Sequence, residues 1–448
     1  MRQRWLLGAA LVLLPFRPAA AETIQDALVA TYATNPTISA QQAQLRATDE
    51  DVPQALAQRR PTVTAQGEAG VTDESTSQLG HQTLWPRGAT FSVQQPVWTG
   101  GRAGASISQA EFIVQAERAN LYNTEESVLL QAATAYLDVV RDQSLLHLAN
   151  NNVKVLQTTL DQTRAQLNAG LATKTDLAQS EARLAQALAD QEQAAVNLAN
   201  SRANYRQAVG HEPHGRLPAS PEVGGLPESL EASIARALQT NPQVLIAQSN
   251  QYAAQAGIDL AYAGLLPTVS VSAQLEHLDD QQIERDHIDS AGVLGTLTVP
   301  IYQAGAEYSK IRQNKETFTQ NQNNPAAAQR TATQVTTQAW ENLQAARANI
   351  QSFKAQIEAN RIAYEGTVEE QRVGTRTVLD VLNAEQELFA SESELVGAQH
   401  DEDVSAYQLK TAVGDMTALA LNLPVERYDP QKHYDAVRNK WIGTSASN

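Results

Sequence analysis

The stretch Glu370–Gln386 reads EQRVGTRTVLDVLNAEQ and carries the signals of one helix ending and another beginning. Gly374 suits the left-handed conformation that commonly follows a helix C-terminus. Thr377 and Asp380 have the spacing of a capping box, in which both side chains bond backbone N–H groups of a new helix. Apolar residues repeat every seven positions on both sides, at Leu343, Ile350, Ile357 and Tyr364 before the turn and at Val381, Leu388, Leu395 and Leu409 after it. The stretch therefore predicts the tip of an antiparallel hairpin of two long helices.

The same tip occurs once more, 204 residues earlier in the chain. Gly170, Thr173 and Asp176 lie in NAGLATKTDLAQSEA at the positions that match the later glycine, threonine and aspartate. Self-similarity at a fixed offset indicates an internal duplication. We expect a first repeat over residues 22–210 and a second over 229–414, each with a helix, two strands and a long helical hairpin. A linker rich in proline and glycine, residues 211–228, joins the repeats.

The N-terminus has the composition of a secretory signal peptide, expected over residues 1–21. Two arginines precede the apolar run Trp5–Phe16, and Ala19-Ala20-Ala21 supplies small residues for cleavage. The chain is therefore exported. It has no cysteine, which excludes disulfides and a lipoprotein anchor, and its net charge of -16 disfavours nucleic acid as a partner.

Four segments alternate apolar and polar residues with the period of a β-strand. In the first of them, Val63, Ala65 and Gly67 alternate with threonine and glutamine. Strands of this length with one apolar face suit the wall of a transmembrane barrel, and an ordinary sandwich is the alternative. Since a barrel needs about eight strands, a chain with four must oligomerise. The predicted strands are Thr62–Thr72, Ala89–Gln94, Thr268–Glu276 and Gly292–Val299, with Pro96 and Pro300 ending the second and fourth.

The helices predicted in each repeat differ in length. Arg102–Ala169 and Gly305–Val373 would each be about 100 Å long at 1.5 Å per residue, whereas the returning helices after each tip reach only about 55 Å. Shorter helices, Pro36–Gln58 and Pro242–Gly264, precede the strands. We expect these to stack end to end on the returning helices so that the two sides of each repeat match.

This order of elements, repeated twice, resembles the TolC-like outer-membrane channel-tunnel (outer membrane efflux protein) family. The tips and the boundary motifs QPVWTGG and VPIYQAG carry the resemblance, and the tail LNLPVERYDPQKHYDAVRNKWIG resembles that of type I secretion outer-membrane proteins. The resemblance implies a mixed α and β membrane protein: a homotrimer with a 12-stranded transmembrane β-barrel in the outer membrane. The barrel would continue into a long α-helical coiled-coil barrel in the periplasm. The tail, residues 415–448, would pack at its equatorial region.

The resemblance also implies a function. The protein would be a passive exit duct for type I protein secretion, multidrug efflux or both, gated at its periplasmic helical tips. Its partners would be outer-membrane lipid, a periplasmic adaptor (membrane fusion) protein and an inner-membrane pump of the ABC or RND type. No enzyme activity and no cofactor are expected. The alternative is a secreted, non-conducting coiled-coil scaffold or adhesin, which fits the heptads and the signal peptide but not the four matched strands.

By resemblance, four residues form the gate. Arg376 would bond across the subunit boundary to Thr175 and Asp176 and hold the tunnel shut. Gln371 stands where the family has a latch tyrosine, so one constraint differs here. Helix capping is the alternative role for Asp176, and a solvated tip charge is the alternative for Arg376.

Two further residues would line the pore mouth. Asp380 and Asn383 are three positions apart, which places them on one helix face. The resemblance makes this face the lumen and implies an aspartate at both positions, so the carboxylate ring of a trimer would have three members instead of six. Capping is the alternative role for Asp380.

The histidines do not suggest a metal site. His211 and His214 belong to the linker, and we place His277 and His287 in a loop that connects two strands. Exposed loop residues are therefore predicted, with no metal and no catalytic set.

Overall fold

The computed structural model describes residues 22–77, 80–281, 283 and 285–445, so the predicted signal peptide lies outside the described residues. One order of elements occurs twice: short helices, two long strands, a long helix and a returning helix. The first half has helices α1 (Ile24–Thr34), α2 (Pro36–Asp49) and α3 (Asp51–Ala57), strands β1 (Thr62–Ala69), β2 (Thr72–Thr76), β3 (Gly80–Leu84) and β4 (Arg87–Trp98), and helices α4 (Arg102–Asn168) and α5 (Lys174–Val209). The second half has α6 (Leu230–Thr240), α7 (Pro242–Tyr262), β5 (Thr268–Asp279), β6 (His287–Thr298), α8 (Ala306–Arg372), α9 (Val378–Ala412) and α10 (Pro430–Val437).

The long helices α4 and α8 have 67 residues each, which makes them about 100 Å long, as predicted. The short helices stack on the returning ones through asparagine side chains. Asn35 caps α2 and its Nδ2 donates to the carbonyl of Ala208 near the end of α5 at 3.4 Å. Asn241 caps α7 and donates to Ala412 of α9 at 3.0 Å. Each returning helix therefore continues into the next short helix.

The predicted helix Pro36–Gln58 is wrong as a single element. The structure divides it at Glu50 into α2 and α3. Pro53 explains the division, because proline has no N–H to donate to the carbonyl of Asp49 and its ring clashes with that carbonyl in a continuous helix. In the second repeat, α7 instead ends in a single 3-10 turn at Ala263–Leu265.

The four long strands form one antiparallel sheet in the order β1-β4-β5-β6, and β2 and β3 form a separate hairpin. The predicted strand Thr62–Thr72 is therefore too long, since β1 ends at Ala69. Pro96 does not end its strand either. The strand continues to Trp98 with a shift of register after Pro96, and such a bulge is a place where a sheet tolerates proline.

Cross-strand partners share a face of the sheet, so the register shows which residues lie side by side. One row contains Ala65, Phe91, Leu275 and Ala291, and the next contains Val63, Val93, Ala273 and Val293. The opposite face is mostly polar, with rows such as Thr64, Ser92 and Gln274. The predicted division into an apolar and a polar face is confirmed for most of the sheet, while the apolar residues Leu278, Ile288 and Leu294 lie on the mostly polar face.

The largest buried cluster lies where α1, α4 and α5 meet the C-terminal segment. Tyr136, Tyr205 and Met416 are fully buried there. Glu125 of α4 accepts a hydrogen bond from the backbone N–H of Ala418 at 2.5 Å. Further along the tail, α10 packs on α2, where His433 bonds to the fully buried Asp49 at 2.9 Å. The C-terminal segment is thus tied to α2 and α4 of the first repeat.

Candidate gate at the helical tips

Each hairpin tip consists of a left-handed glycine followed by a capping box. Gly170 has a φ of 75°. Thr173 accepts a hydrogen bond from the backbone N–H of Asp176 at 3.1 Å, and Asp176 Oδ2 accepts one from the N–H of Thr173 at 2.8 Å. The second tip repeats the arrangement with Gly374, Thr377 and Asp380. The turns form as the sequence predicts, because every group that they need lies within a few residues.

Arg376 is paired inside its own tip. Its Nε lies 2.9 Å from Oε2 of Glu370, and both side chains are about half exposed. Sequence reasoning did not select Glu370, although it is the first residue of the stretch Glu370–Gln386. The expected bond from Arg376 to Thr175 and Asp176 joins two subunits, so it stays a prediction.

Two polar contacts join the hairpins of one chain near the tips. Gln371 Nε2 donates to Gln166 Oε1 at 3.4 Å, which connects α8 with α4. Arg183 Nη2 donates to Asn383 Oδ1 at 3.0 Å, which connects α5 with α9. Sequence reasoning missed Gln166 and Arg183, because heptads define which residues share a face but not which residues of two different hairpins meet.

Capping and charge are compatible at Asp380. The backbone N–H and the hydroxyl of Thr377 both donate to its carboxylate, and these bonds lower the pKa of Asp380 below its usual value. The side chain therefore stays ionised at neutral pH while it caps α9. Its negative charge remains available at the tip.

The structure places the four histidines of the predicted loops differently from one another. His277 is not in a connecting loop but in β5, where it bonds to Asp289 of β6 at 2.6 Å. His287 is the first residue of β6. His211 and His214 do lie between the repeats, and both face Glu22.

The tips bring together charges and hydrogen-bond donors at the ends of long helices, which suits holding or releasing the hairpins. No helix in the described ranges combines the length and the apolar character that crossing a bilayer requires.

Comparison with known proteins agrees with this architecture. The model of the family described as outer membrane efflux protein matches residues 27–211 and 233–415. The outer membrane efflux protein BepC of Brucella suis is 34% identical over 443 residues, which cover 98% of this chain and 96% of BepC. The outer membrane protein TolC of Vibrio cholerae is 26% identical over 321 residues, 70% of this chain and 73% of TolC. The crystal structure of the outer membrane protein VceC from Vibrio cholerae superposes with a TM-score of 0.77 at 17% identity, covering 87% of this chain and 96% of VceC.

Fold and relatives together define a channel of the TolC type, an outer-membrane protein that extends into the periplasm. The chain belongs to the outer membrane efflux protein family, as the resemblance predicted. It is an efflux channel and not an enzyme, and the alternative of a non-conducting scaffold or adhesin is not favoured.

Proposed function

We propose that three copies of this chain form the exit duct of a tripartite pump, with one closed 12-stranded barrel in the outer membrane. The sheet of one chain carries this proposal. Among the described strands, β1 and β6 each pair on one side only, so the sheet has two free edges. Pairing β1 of one copy with β6 of the next leaves no edge open when three copies meet, and lipid tolerates no open edge.

The apolar face of the sheet is the proposed contact with lipid. Val293 is 76% exposed and Phe91 45% exposed in the single chain, and both belong to the apolar rows. Such a continuous exposed apolar surface would be unfavourable in water. The polar face would then line the lumen of the barrel.

The proposed partners are a periplasmic adaptor at the tips and, through it, an inner-membrane pump of the ABC or RND type. Efflux is the proposed main task, and the family description and the name of the outer membrane efflux protein BepC support it. Type I protein secretion is the second candidate, and the tail sequence Leu421–Gly443 supports it. Deleting the gene and measuring both drug sensitivity and secreted protein separates the two cargoes.

The tips are the proposed gate. In the closed trimer, Arg376 would leave Glu370 of its own tip and bond to Asp176 of the neighbouring subunit. Capping engages Oδ2 of Asp176, so its second carboxylate oxygen can accept this bond. Each such bond would be charge-assisted and therefore stronger than a bond between neutral groups, and the ring would contain three of them.

Single-channel conductance in planar bilayers tests the gate. Arg376→Ser and Asp176→Asn should both raise conductance, and the asparagine retains an oxygen for capping. Glu370→Gln should lower conductance, because it removes the local competitor for Arg376. Arg372→Ser is the matched control, since Arg372 is an exposed tip arginine that pairs with Glu369.

Unchanged conductance in both Arg376→Ser and Asp176→Asn would reject the latch. Purified protein that remains a folded monomer in detergent would reject the trimer itself. An equal rise of conductance in Arg372→Ser would show that losing any positive charge at the tip has the same effect as losing Arg376.

A further inference from the structure

Three side chains from two distant parts of the chain converge beside the buried cluster of α1, α4 and α5. Glu22 precedes α1, whereas His211 and His214 follow α5 in the linker. One potential ligand atom from each of the three lies within 4.8 Å of the other two. The Glu22 side chain is 9% exposed and the histidine side chains are 37% and 60% exposed, so the carboxylate is buried while both rings reach solvent.

We propose that Glu22, His211 and His214 form a binding site for one divalent transition-metal ion of the Zn²⁺ type. Two imidazoles and one carboxylate are a donor set that zinc accepts in proteins with a further position left for water. The site goes beyond export through the tunnel, because it would fasten the start of the first repeat to the linker between the repeats.

The distances between the donor atoms support a metal more than a direct hydrogen bond. His211 Nε2 lies 3.4 Å from Glu22 Oε1, and His214 Nδ1 lies 3.5 Å from Glu22 Oε2. Charge-assisted hydrogen bonds are usually about 2.7–2.9 Å long. Two ligands at zinc bond lengths of about 2.0–2.1 Å and tetrahedral angles are separated by about 3.3 Å. Both gaps are close to that separation, and each histidine faces a different oxygen of the Glu22 carboxylate.

The surroundings fix the orientation of two ligands. His211 Nδ1 lies 2.9 Å from the carbonyl oxygen of Glu212, so the neutral ring can donate there and direct the lone pair of Nε2 at Glu22. Metal-binding histidines commonly use such a bond from the second nitrogen. Glu22 Oε2 accepts a hydrogen bond from the backbone N–H of His214 at 3.2 Å, which holds the carboxylate between the rings.

His214 has one competing contact. Its Nδ1 lies 3.1 Å from the same carbonyl of Glu212, so metal binding at this nitrogen requires the tautomer with the proton on Nε2. Metal binding and a hydrogen bond from Nδ1 to Glu212 thus exclude each other. The tautomer is a feature that nitrogen NMR of His214 can follow.

The backbone around the site is also tied down. Tyr136 of α4 is fully buried, and its hydroxyl lies 3.2 Å from the carbonyl oxygen of Glu22 and 2.9 Å from that of Pro218. Tyr205 packs edge-on against the ring of His211. The segment before α1 and the linker therefore start close together, which lowers the entropic cost of binding a shared ion.

Binding can be measured on the intact protein in detergent after treatment with a chelator. Equilibrium dialysis against Zn²⁺ with metal analysis gives the stoichiometry, and Co²⁺ in place of Zn²⁺ reports tetrahedral coordination in its visible spectrum. We expect one ion per chain. His211→Ala and His214→Ala should each weaken binding by at least about 100-fold, the upper range for changes in the surrounding shell alone.

His277→Ala is the matched control, because His277 also lies near two carboxylates, those of Asp279 and Asp289. It should leave the stoichiometry at one. Absence of Zn²⁺ binding to the wild-type protein would overturn the proposal. So would binding that disappears in His277→Ala but survives in His211→Ala and His214→Ala. Conductance should be the same in all these variants, which keeps this test separate from that of the gate.

Discussion

A buried carboxylate interrupts the apolar stripe of α9 two turns after the second tip. Glu385 is 6% exposed, and neither of its side-chain oxygens has a hydrogen-bond partner among the described residues. Burial raises the pKa of Glu385 to about 7, because the charged form loses its hydration. Its neighbours on the same stripe, Val378, Leu382 and Phe389, are apolar, so its position could have been noticed in the sequence.

Glu385 should make the second hairpin less stable as the pH rises. The pKa of an unfolded glutamate is 4.5, so between pH 4.5 and about 7 the folded chain holds a proton that the unfolded chain has lost. The free energy of unfolding should therefore fall over this range, by up to about 3 kcal/mol per chain. Glu385→Gln should remove this pH dependence and stabilise the hairpin at pH 8.

Hydrogen exchange of α9, corrected for the intrinsic rate, measures this effect locally. Protection in the wild type should be greater at pH 5 than at pH 8, and equal at both in Glu385→Gln. Glu387→Gln is the control, since Glu387 is an exposed acid on the same helix. A wild-type hairpin that is equally protected at both values would show that Glu385 finds a partner in the assembled protein.

Residue by residue, the sequence predicts local chemistry better than contacts at a distance. The capping boxes of Thr173 and Thr377 involve partners three positions away, so spacing alone reveals them. The bonds of Gln166 to Gln371 and of Arg183 to Asn383 depend on how one hairpin rotates against the other. No repeat in the sequence encodes that rotation.

Among the elements, the lengths of the four hairpin helices follow from the heptads and the caps. The break at Glu50 departs from the single helix predicted over Pro36–Gln58, although Pro53 marks it in the sequence. The matching helix predicted over Pro242–Gly264 has no such internal proline. The bulge after Pro96 is not predicted from the sequence either. Proline in a strand normally indicates its end, whereas here Val97 is an extra residue of β4 opposite β5 and the strand continues to Trp98.

The two junctions between a returning helix and a short helix are a matched pair. Gly210 and Gly414 are both left-handed, with φ of 100° and 81°. A Cβ added to Gly414 would lie 2.6 Å from the backbone oxygen of Thr240, whereas one added to Gly210 would lie 3.4 Å from the hydroxyl of Thr34. Only at Gly414, in the second junction, would a side chain therefore clash with the backbone.

Alanine substitutions at the two glycines should distinguish the free-energy cost of the left-handed conformation from the added cost of the backbone clash. Gly210→Ala should cost about 1–2 kcal/mol for the left-handed conformation alone. Gly414→Ala should cost about 2–5 kcal/mol, since the backbone at Thr240 must also move. Urea unfolding of the helices, followed by circular dichroism, measures both. Equal midpoints for the two variants would mean that the second junction yields without strain.

At the scale of the whole molecule, the four-stranded sheet of a single chain has two unpaired edges among the described strands, β1 and β6. The sequence predicts four strands with an apolar face, and both features are present. The proposed closure of a barrel would depend on edges that different copies contribute, and the pattern within one chain defines only how many edges each copy has. The same holds for the tips, because the proposed ring of charges would form only when three copies assemble.

The proposed pore mouth depends on that ring and on a contact that the sequence did not reveal. Asp380 is ionised, so three copies would place three carboxylates around the axis. Asn383 adds no charge, and it already accepts a hydrogen bond from Arg183. A carboxylate introduced at position 383 would therefore pair with Arg183 and lose part of its attraction for a cation in the lumen.

Block of the channel by multivalent cations should increase with the number of unpaired carboxylates at the pore mouth. Asp380→Asn should nearly abolish block, because it removes the only charges of the proposed ring. Asn383→Asp should strengthen block slightly, and Asn383→Asp combined with Arg183→Gln should strengthen it much more, since the new carboxylates are then unpaired. The differences should shrink as salt rises, because exposed charges are screened over about 10 Å at 0.1 M. Arg183→Gln alone is the control for the loss of the arginine. If bilayer recordings give one blocking concentration for the wild type, Asp380→Asn and the double variant, Asp380 acts only as a helix cap and the narrowest part of the pore lies elsewhere.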